Sequence, residues 1–235
     1  MEIDSNIQAE CISIGLQNEK SLHSSIKQWY AEKGDRLEVR VDGFVIDIVR
    51  NEELIEIQTK NFFAISKKLI QLCKDHKVKL VHPISRIKWI KKIDIEGNVI
   101  SVRKSPKKGT VYDIFDELVS IPELINDENF SLEILIIDSE ELRCDNGKGS
   151  WRRKGISIVD KKLLSVIESY EFKSREDFKK FIPDSITKPF TNKSLSDANI
   201  TSLPQCRKLT YCLKKMGIIQ EKGKKGRELL FNIQE

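Results

Sequence analysis

Residues 43–60 read GFVIDIVRNEELIEIQTK, and this stretch decides the fold of the N-terminal part of the chain. Two short apolar runs rich in β-branched residues are separated by the polar break Asn51-Glu52-Glu53. Short β-branched runs around a turn-sized break are typical of paired antiparallel strands. The stretch therefore predicts a β-hairpin.

Two carboxylates, Asp47 and Glu56, lie inside these apolar runs. An ionised carboxylate in an apolar setting is costly unless its charge is compensated, and a divalent cation with oxygen ligands does this. Side chains alternate between the two faces of a strand, so Glu56, Gln58 and Lys60 share a face. We therefore predict a site for Mg²⁺ or Mn²⁺ at Asp47 and Glu56, with an amide and an ammonium group beside it.

The turn between the two runs decides whether Asp47 joins that face. A two- or four-residue turn places Asp47 opposite Glu56, whereas a three-residue connection without a bulge directs Asp47 to the other face. Glu52 suits a two-residue primed turn poorly. We therefore expect a four-residue turn over residues 50–53.

At these residues the chain resembles the PD-(D/E)XK nuclease superfamily, in which a helix carries an acid, the second strand carries Asp and the third carries Glu-x-Lys. The corresponding elements here are a helix over residues 19–31 with Glu19 as the acid, strands over 36–41, 43–50 and 54–60, a helix over 61–75 and a strand over 78–83. The resemblance covers residues 15–92. It implies a restriction-endonuclease-like core with the element order αβββαβ.

The resemblance also implies metal-dependent cleavage of DNA, with Asp47 and Glu56 as metal ligands and Glu19 assisting from the helix. Gln58 stands where the superfamily has Lys, and Lys60 follows two residues later. Either residue would orient the attacking water or stabilise the developing charge. Two alternatives stay open. One is a non-catalytic DNA-binding protein that keeps the nuclease-like scaffold, and the other is a plain hairpin whose carboxylates form surface salt bridges.

Composition bounds the protein class. Hydrophobic residues make up 39% of the 235 residues, enough for packed cores, and charged residues make up 33%. No apolar run approaches the roughly 18 residues of a membrane-spanning helix, and the N-terminus lacks the pattern of a signal peptide. Five scattered cysteines without a CxxC pair indicate reduced thiols. We expect a cytoplasmic protein without membrane contact, and a homo-oligomer stays open.

The net charge of +5 is unevenly distributed along the chain. Residues 1–146 contain 21 basic and 26 acidic side chains, whereas residues 147–235 contain 20 basic and 10 acidic ones. A strongly basic half indicates that this part faces an acidic polymer. We therefore expect duplex or branched DNA as a partner of the C-terminal part.

The sequence predicts three domains, over residues 1–92, 93–155 and 156–235. The middle one ends in the basic, glycine-rich loop Cys144-DNGKGSWRRK-Gly155. Cations next to an aromatic residue could hold a nucleic-acid backbone, and a solvated linker fits the same composition equally well. The residues concerned are Arg152, Arg153 and Lys154.

The C-terminal domain is predicted to contain helices over residues 160–172, 174–183, 191–198 and 203–216, followed by a hairpin over 218–233. Ser174 and Asp177 have the spacing of a capping box, and Gly217 is placed to end the last helix. This order of helix, turn, helix and hairpin resembles a winged helix-turn-helix domain. The two resemblances imply a mixed α/β (α+β) class.

Eight cations and one acid lie between Leu203 and Arg227, a bias that favours DNA binding over a protein–protein module. Gln205 and Arg207 are predicted to reach base edges, and the cations to contact phosphates. The residues predicted to contact DNA are Gln205, Arg207, Lys208, Tyr211, Lys214 and Lys215 on the last helix, and Lys222, Lys224, Lys225 and Arg227 on the wing.

Overall fold

The computed structural model of the protein describes residues 22–234 and shows a mixed α+β fold with a large mixed sheet. The helices are α1 (residues 22–30), α2 (Phe62–Leu72), α3 (Phe115–Leu118), α4 (Asn192–Asp197) and α5 (Leu203–Lys215). The strands are β1 (Arg36–Val41), β2 (Phe44–Arg50), β3 (Glu53–Ile57), β4 (Lys77–Ile93), β5 (Val99–Lys104), β6 (Phe130–Asp145), β7 (Ile156–Phe172), β8 (Ile219–Lys225) and β9 (Glu228–Ile233). Short 3₁₀ turns cover Val111–Ile114, Leu124–Asn126, Trp151–Arg153 and Arg175–Phe181.

Seven strands form one sheet in the order β1-β2-β3-β4-β6-β7, and β5 also pairs with β4. The first three strands form an antiparallel meander, and β3 then pairs with β4 in parallel. A parallel neighbour requires a crossover, which α2 provides between β3 and β4. The strands β8 and β9 form a separate antiparallel hairpin.

The chain divides into two compact units. Within the described residues, the first unit comprises residues 22–33, Pro83–Thr110 and Leu135–Ser169, and the second comprises Gly34–His82, Val111–Ile134 and residues 170–234. This division differs from the three consecutive domains expected from the sequence. The physical reason is that β4, β6 and β7 are 16 or 17 residues long and each contributes residues to both units.

The turn between β2 and β3 is shorter than expected. Arg50 pairs with Glu53, so only Asn51 and Glu52 connect the strands, and the prediction of a four-residue turn is wrong. Asn51 has a φ of 52°, a left-handed conformation that Asn adopts more readily than most residues. Asn51 therefore permits a two-residue turn, although Glu52 suits such a turn poorly. Both turn lengths preserve the pairing of Asp47 with Glu56.

Elsewhere in the N-terminal part, the strands and α2 follow the expected order. The expected strand over 36–41 is β1, and the expected strand over 78–83 lies within the longer β4. The second helix ends at Leu72 rather than at residue 75. Its buried side chains are Phe62, Leu69 and Leu72, which are fully inaccessible to solvent.

The predicted helix over residues 160–172 is wrong, because these residues belong to strand β7. The segment LLSVIESYEF has apolar residues at both helical and alternating spacings, so its period alone does not decide between the two structures. Pairing with β6 at the end of the large sheet decides in favour of a strand. Tertiary context commonly overrides local preference in this way.

The remaining C-terminal elements largely follow the sequence expectation. Ser174 and Asp177 form the predicted capping box, although the turn that they cap is a 3₁₀ helix. Helix α5 has Pro204 in its first turn, and Gly217 follows it with a φ of 77°. Strands β8 and β9 follow α5 and form an antiparallel hairpin. Among residues 22–234, no helix is long and apolar enough to span a membrane.

Candidate functional site

The two carboxylates of the hairpin face each other. The antiparallel register ends with Ile48 paired with Ile55, and its continuation by one residue brings Asp47 beside Glu56, close enough for the charge of Asp47 to act on this carboxyl. Asp47 accepts a hydrogen bond at Oδ2 from the backbone N–H of Ile57, at 3.0 Å. Glu56 is only 6% exposed. The prediction that Asp47 and Glu56 are neighbours on adjacent antiparallel strands is therefore confirmed.

The structure adds a lysine that the sequence analysis missed. Lys68 of α2 places Nζ 2.6 Å from Oε1 of Glu56 and donates a hydrogen bond to the carbonyl oxygen of Val45, also at 2.6 Å. The adjacent Leu69 is fully buried, which holds this part of α2 against the sheet. The signal available in the sequence was a Lys pair in an otherwise mostly apolar helix that follows an apolar strand containing Glu56.

Burial dominates the electrostatics of Glu56. Loss of solvation raises the pKa of this carboxyl, the ion pair with Lys68 opposes the rise, and the negative charge of Asp47 adds to it. Oε1 of Glu56 lies within ion-pair distance of Lys68, yet no donor meets it with hydrogen-bond geometry. In the described part of the chain, it is the only buried side-chain oxygen or nitrogen without a hydrogen bond.

Asp47 and Glu56 suit a Mg²⁺ site in which the protein supplies only two carboxylates, rather than a site in which the protein supplies every ligand. Mg²⁺ is commonly held by one or two carboxylates, with water and substrate phosphate completing the shell. Asp47 and Glu56 supply two carboxylates, and the Lys68 ammonium already lies 2.6 Å from Oε1 of Glu56, so a bound cation would share this carboxylate with Lys68. Within residues 22–234, no group of three or more His, Cys, Asp or Glu side chains could hold a metal. Glu19, the predicted third acid, lies outside the described residues.

Gln58 is used to hold the loop between β3 and α2. Its Nε2 donates to the carbonyl oxygens of Lys60 at 2.6 Å and of Asn61 at 3.3 Å. The backbone carbonyl oxygen of Gln58 accepts a hydrogen bond from Nδ1 of His82 at 2.6 Å, so Nδ1 carries the proton. Burial lowers the pKa of His82, so this imidazole is neutral near neutral pH. Strand β3 ends at Ile57, so the expected strand over 54–60 is too long, and Gln58 and Lys60 lie in the following loop rather than on the strand face of Glu56. Lys60 is exposed.

One face of α5 is occupied by contacts within its own unit. Gln205 is 8% exposed and donates from Nε2 to the carbonyl oxygen of Tyr112, at 2.6 Å. Lys208 pairs with Asp116 at 2.6 Å, and Lys215 pairs with Glu123 at 3.0 Å. These acids come from the segment 111–126, far away in sequence, so counting charges between Leu203 and Arg227 could not reveal them.

The opposite side of α5 and the β8–β9 hairpin retain exposed polar groups. Arg207 and Tyr211 are exposed, and Lys214 pairs with Glu221 of β8 at 2.7 Å. The exposed cations of the hairpin are Lys222, Lys224, Lys225 and Arg227. The basic surface predicted from the sequence is therefore concentrated on the hairpin.

The third predicted set, Arg152, Arg153 and Lys154, lies in the first unit at the turn between β6 and β7. All three residues are exposed, as is the neighbouring Trp151. They belong to a different compact unit from Asp47 and Glu56.

Comparison with known proteins identifies a family without assigning a chemistry. A family model described as "Domain of unknown function (DUF8091)" matches residues 20–173. The chain belongs to this family. The matched segment contains Asp47, Glu56, Lys68 and Trp151, and it ends just before Ser174.

A relative in Treponema pallidum (strain Nichols), described as "Uncharacterized protein", is 31% identical over 221 residues. The aligned region covers 94% of this chain and 87% of the relative, so the similarity extends beyond the family segment into the C-terminal helices. No solved structure matches the chain.

Proposed function

We propose that the protein is a metal-dependent phosphodiesterase that cleaves DNA, of the PD-(D/E)XK type. The observation that carries this proposal is the trio formed by Asp47, Glu56 and Lys68. Two opposed carboxylates on antiparallel strands, one buried and paired with a lysine, combine metal ligands with a cation for phosphate chemistry. The element order β1-β2-β3-α2-β4 supports the same proposal.

In this proposal, Lys68 takes the role that the sequence suggested for Gln58 or Lys60. Asp47 and Glu56 would hold Mg²⁺ or Mn²⁺, which supplies Lewis-acid activation of a phosphate and of a water molecule when bound. The ammonium group of Lys68, fixed by Glu56 and the Val45 carbonyl oxygen, would stabilise negative charge that develops on the phosphate. Gln58 would hold the loop that positions α2.

The C-terminal part would bind the DNA. The exposed cations of the β8–β9 hairpin support a wing that contacts phosphates, in a winged helix-turn-helix arrangement built from α4, α5 and the hairpin. We include a cytoplasmic location in the same proposal, because the protein must meet DNA inside the cell.

A second candidate is a DNA-binding protein without catalysis. The observation favouring it is that Lys68 already neutralises Glu56, while the strand position expected to carry Lys is Gln58. A cation that permanently compensates Glu56 would make the pair a structural feature of the scaffold.

The decisive test is cleavage of plasmid, linear and branched DNA by the full-length protein with Mg²⁺, Mn²⁺ or EDTA. We expect metal-dependent cleavage that Glu56→Gln abolishes and Lys68→Ala reduces by about 100- to 1000-fold. Glu53→Gln is the matched control, since Glu53 lies on the same strand and pairs with Lys79 instead. It should retain wild-type cleavage.

Circular dichroism should show that the variants are folded. A folded wild-type protein that cleaves none of these substrates with either metal would favour the non-catalytic candidate. Full activity of folded Glu56→Gln would instead place the active site elsewhere.

A further inference from the structure

The turn between β6 and β7 has a tightly specified backbone. The N–H of Gly149 donates to the carbonyl oxygen of Gly155 at 2.7 Å, and the N–H of Gly155 donates to Ser150 at 3.3 Å. A Cβ added to Gly149 would lie 1.9 Å from the carbonyl oxygen of Ile156. No side chain fits at that position without a shift of the backbone, so the turn is built around a close approach that requires glycine.

This constrained turn presents a large aromatic side chain to solvent. Trp151 is 84% exposed, the highest exposure among the large hydrophobic residues of the described chain. The guanidinium carbon of Arg152 lies 5.8 Å from the centre of its ring, within the range of a cation–π contact. An exposed tryptophan on a fixed turn contributes little to the core and leaves most of its ring accessible to another molecule.

The charge around Trp151 identifies the kind of partner. Between Asn146 and Asp160 the sequence contains four cations and no acid. The cations are Lys148, Arg152, Arg153 and Lys154, and all of them are exposed. An aromatic side chain surrounded by cations is suited to nucleic acid, whose bases stack on the ring and whose phosphates pair with the cations.

We propose that this tip, residues 147–155, binds single-stranded nucleic acid, with Trp151 stacked on an unpaired base and the cations on the flanking phosphates. Base–aromatic stacking tolerates any sequence, because every base offers a π-face. Any link to cleavage rests on the proposed function. If the protein cleaves DNA, this tip would favour substrates that contain an unpaired base. Binding itself does not depend on that function.

An anionic membrane surface is the main competing partner for a basic tip with a tryptophan. Membrane binding by insertion grows with the apolar area that enters the bilayer. Residues 147–155 contain only one large apolar side chain, Trp151, among glycines, a serine and cations. This composition supplies little area for insertion but is sufficient for stacking on one base.

The test measures binding of fluorescently labelled oligothymidine to the full-length protein in EDTA, so that cleavage cannot contribute. Trp151→Ala should weaken binding by about 5- to 150-fold, the range that stacking on one base supplies. Trp151→Phe should restore most of the affinity, because it retains a ring. Trp29→Ala is the matched control, since Trp29 is also more than half exposed, and its affinity should equal that of the wild type.

A second readout separates stacking from charge. Oligothymidine should quench the tryptophan fluorescence of the wild type and of Trp29→Ala but leave that of Trp151→Ala nearly unchanged. Equal affinities of wild type and Trp151→Ala would overturn the proposal. It would also be overturned by Trp151-dependent binding to phosphatidylserine vesicles without binding to oligothymidine. Because no metal is present, these outcomes are independent of whether Glu56→Gln affects cleavage.

Discussion

At the residue scale, the central feature is that Glu56 lies buried with a positive and a negative neighbour. Lys68 supports its ionised form, whereas burial and Asp47 oppose it, and the balance raises the pKa of Glu56. A carboxyl that binds its proton more tightly in the folded chain stabilises the fold most at low pH. The pair of Glu56 and Lys68 is therefore a position where pH and stability are linked.

We predict that this link is visible in the pH dependence of unfolding. As pH rises above 4.5, the ordinary pKa of Glu, the unfolded chain loses its proton first, so the free energy of unfolding falls until Glu56 ionises in the folded state. Urea unfolding at a series of pH values should show this fall in the wild type and in Glu53→Gln, but less of it in Glu56→Gln. Parallel curves for all three proteins would contradict the raised pKa.

At the scale of elements, α5 is a helix with two different sides. One side is tied to the 111–126 segment through Gln205, Lys208 and Lys215, and the other leaves Arg207 exposed. The first side contributes to the packing of the second unit, which reduces the number of groups that α5 can offer to DNA. The β8–β9 hairpin, whose cations are exposed, is the stronger candidate for phosphate contact.

The two sides of α5 should respond differently to truncation. Gln205→Ala removes a buried side chain and its hydrogen bond to the half-buried Tyr112, and should lower the free energy of unfolding by about 1–3 kcal/mol. Arg207→Ala, on the exposed side, should change it by less than about 0.5 kcal/mol. Urea denaturation of both variants measures the difference. Equal effects would mean that Gln205 does not anchor the helix.

At the scale of the whole molecule, the second unit contains both the carboxylate site and the basic hairpin. The unit includes Gly34–His82, with Asp47, Glu56 and Lys68, and also residues 170–234, with α5 and the β8–β9 hairpin. The separation of charge along the sequence therefore does not correspond to separate compact units. Acids of the 111–126 segment neutralise part of the C-terminal positive charge, and the hairpin retains its exposed cations.

This distribution predicts which lysines control the salt dependence of duplex DNA binding. The logarithm of the affinity should fall linearly with the logarithm of the salt concentration, by roughly 0.9 per phosphate contact. Replacing Lys222, Lys224 and Lys225 with Ala should reduce this slope by up to about three. Replacing Lys208 and Lys215, which pair with acids, should reduce it less. Fluorescence anisotropy titrations at several salt concentrations measure the slopes. An unchanged slope in the triple variant would mean that these hairpin lysines do not contact phosphates.

The sequence by itself determined the local features of this protein. The hairpin of residues 43–60, the capping box at Ser174, and the end of α5 at Gly217 follow from alternation, cap residues and the conformational freedom of glycine. The facing of Asp47 and Glu56 follows from register alone, which is why it was predictable despite the wrong turn length.

Only the tertiary structure decided which distant residues meet. Residues 160–172 became a strand because β6 offers a pairing edge, which no local period can show. The partner of Glu56 is Lys68, and the partners of α5 are Tyr112, Asp116 and Glu123, all separated in sequence from the groups that they contact. A carboxylate inside an apolar strand indicates that some compensation exists, but packing of the whole chain selects the cation that provides it.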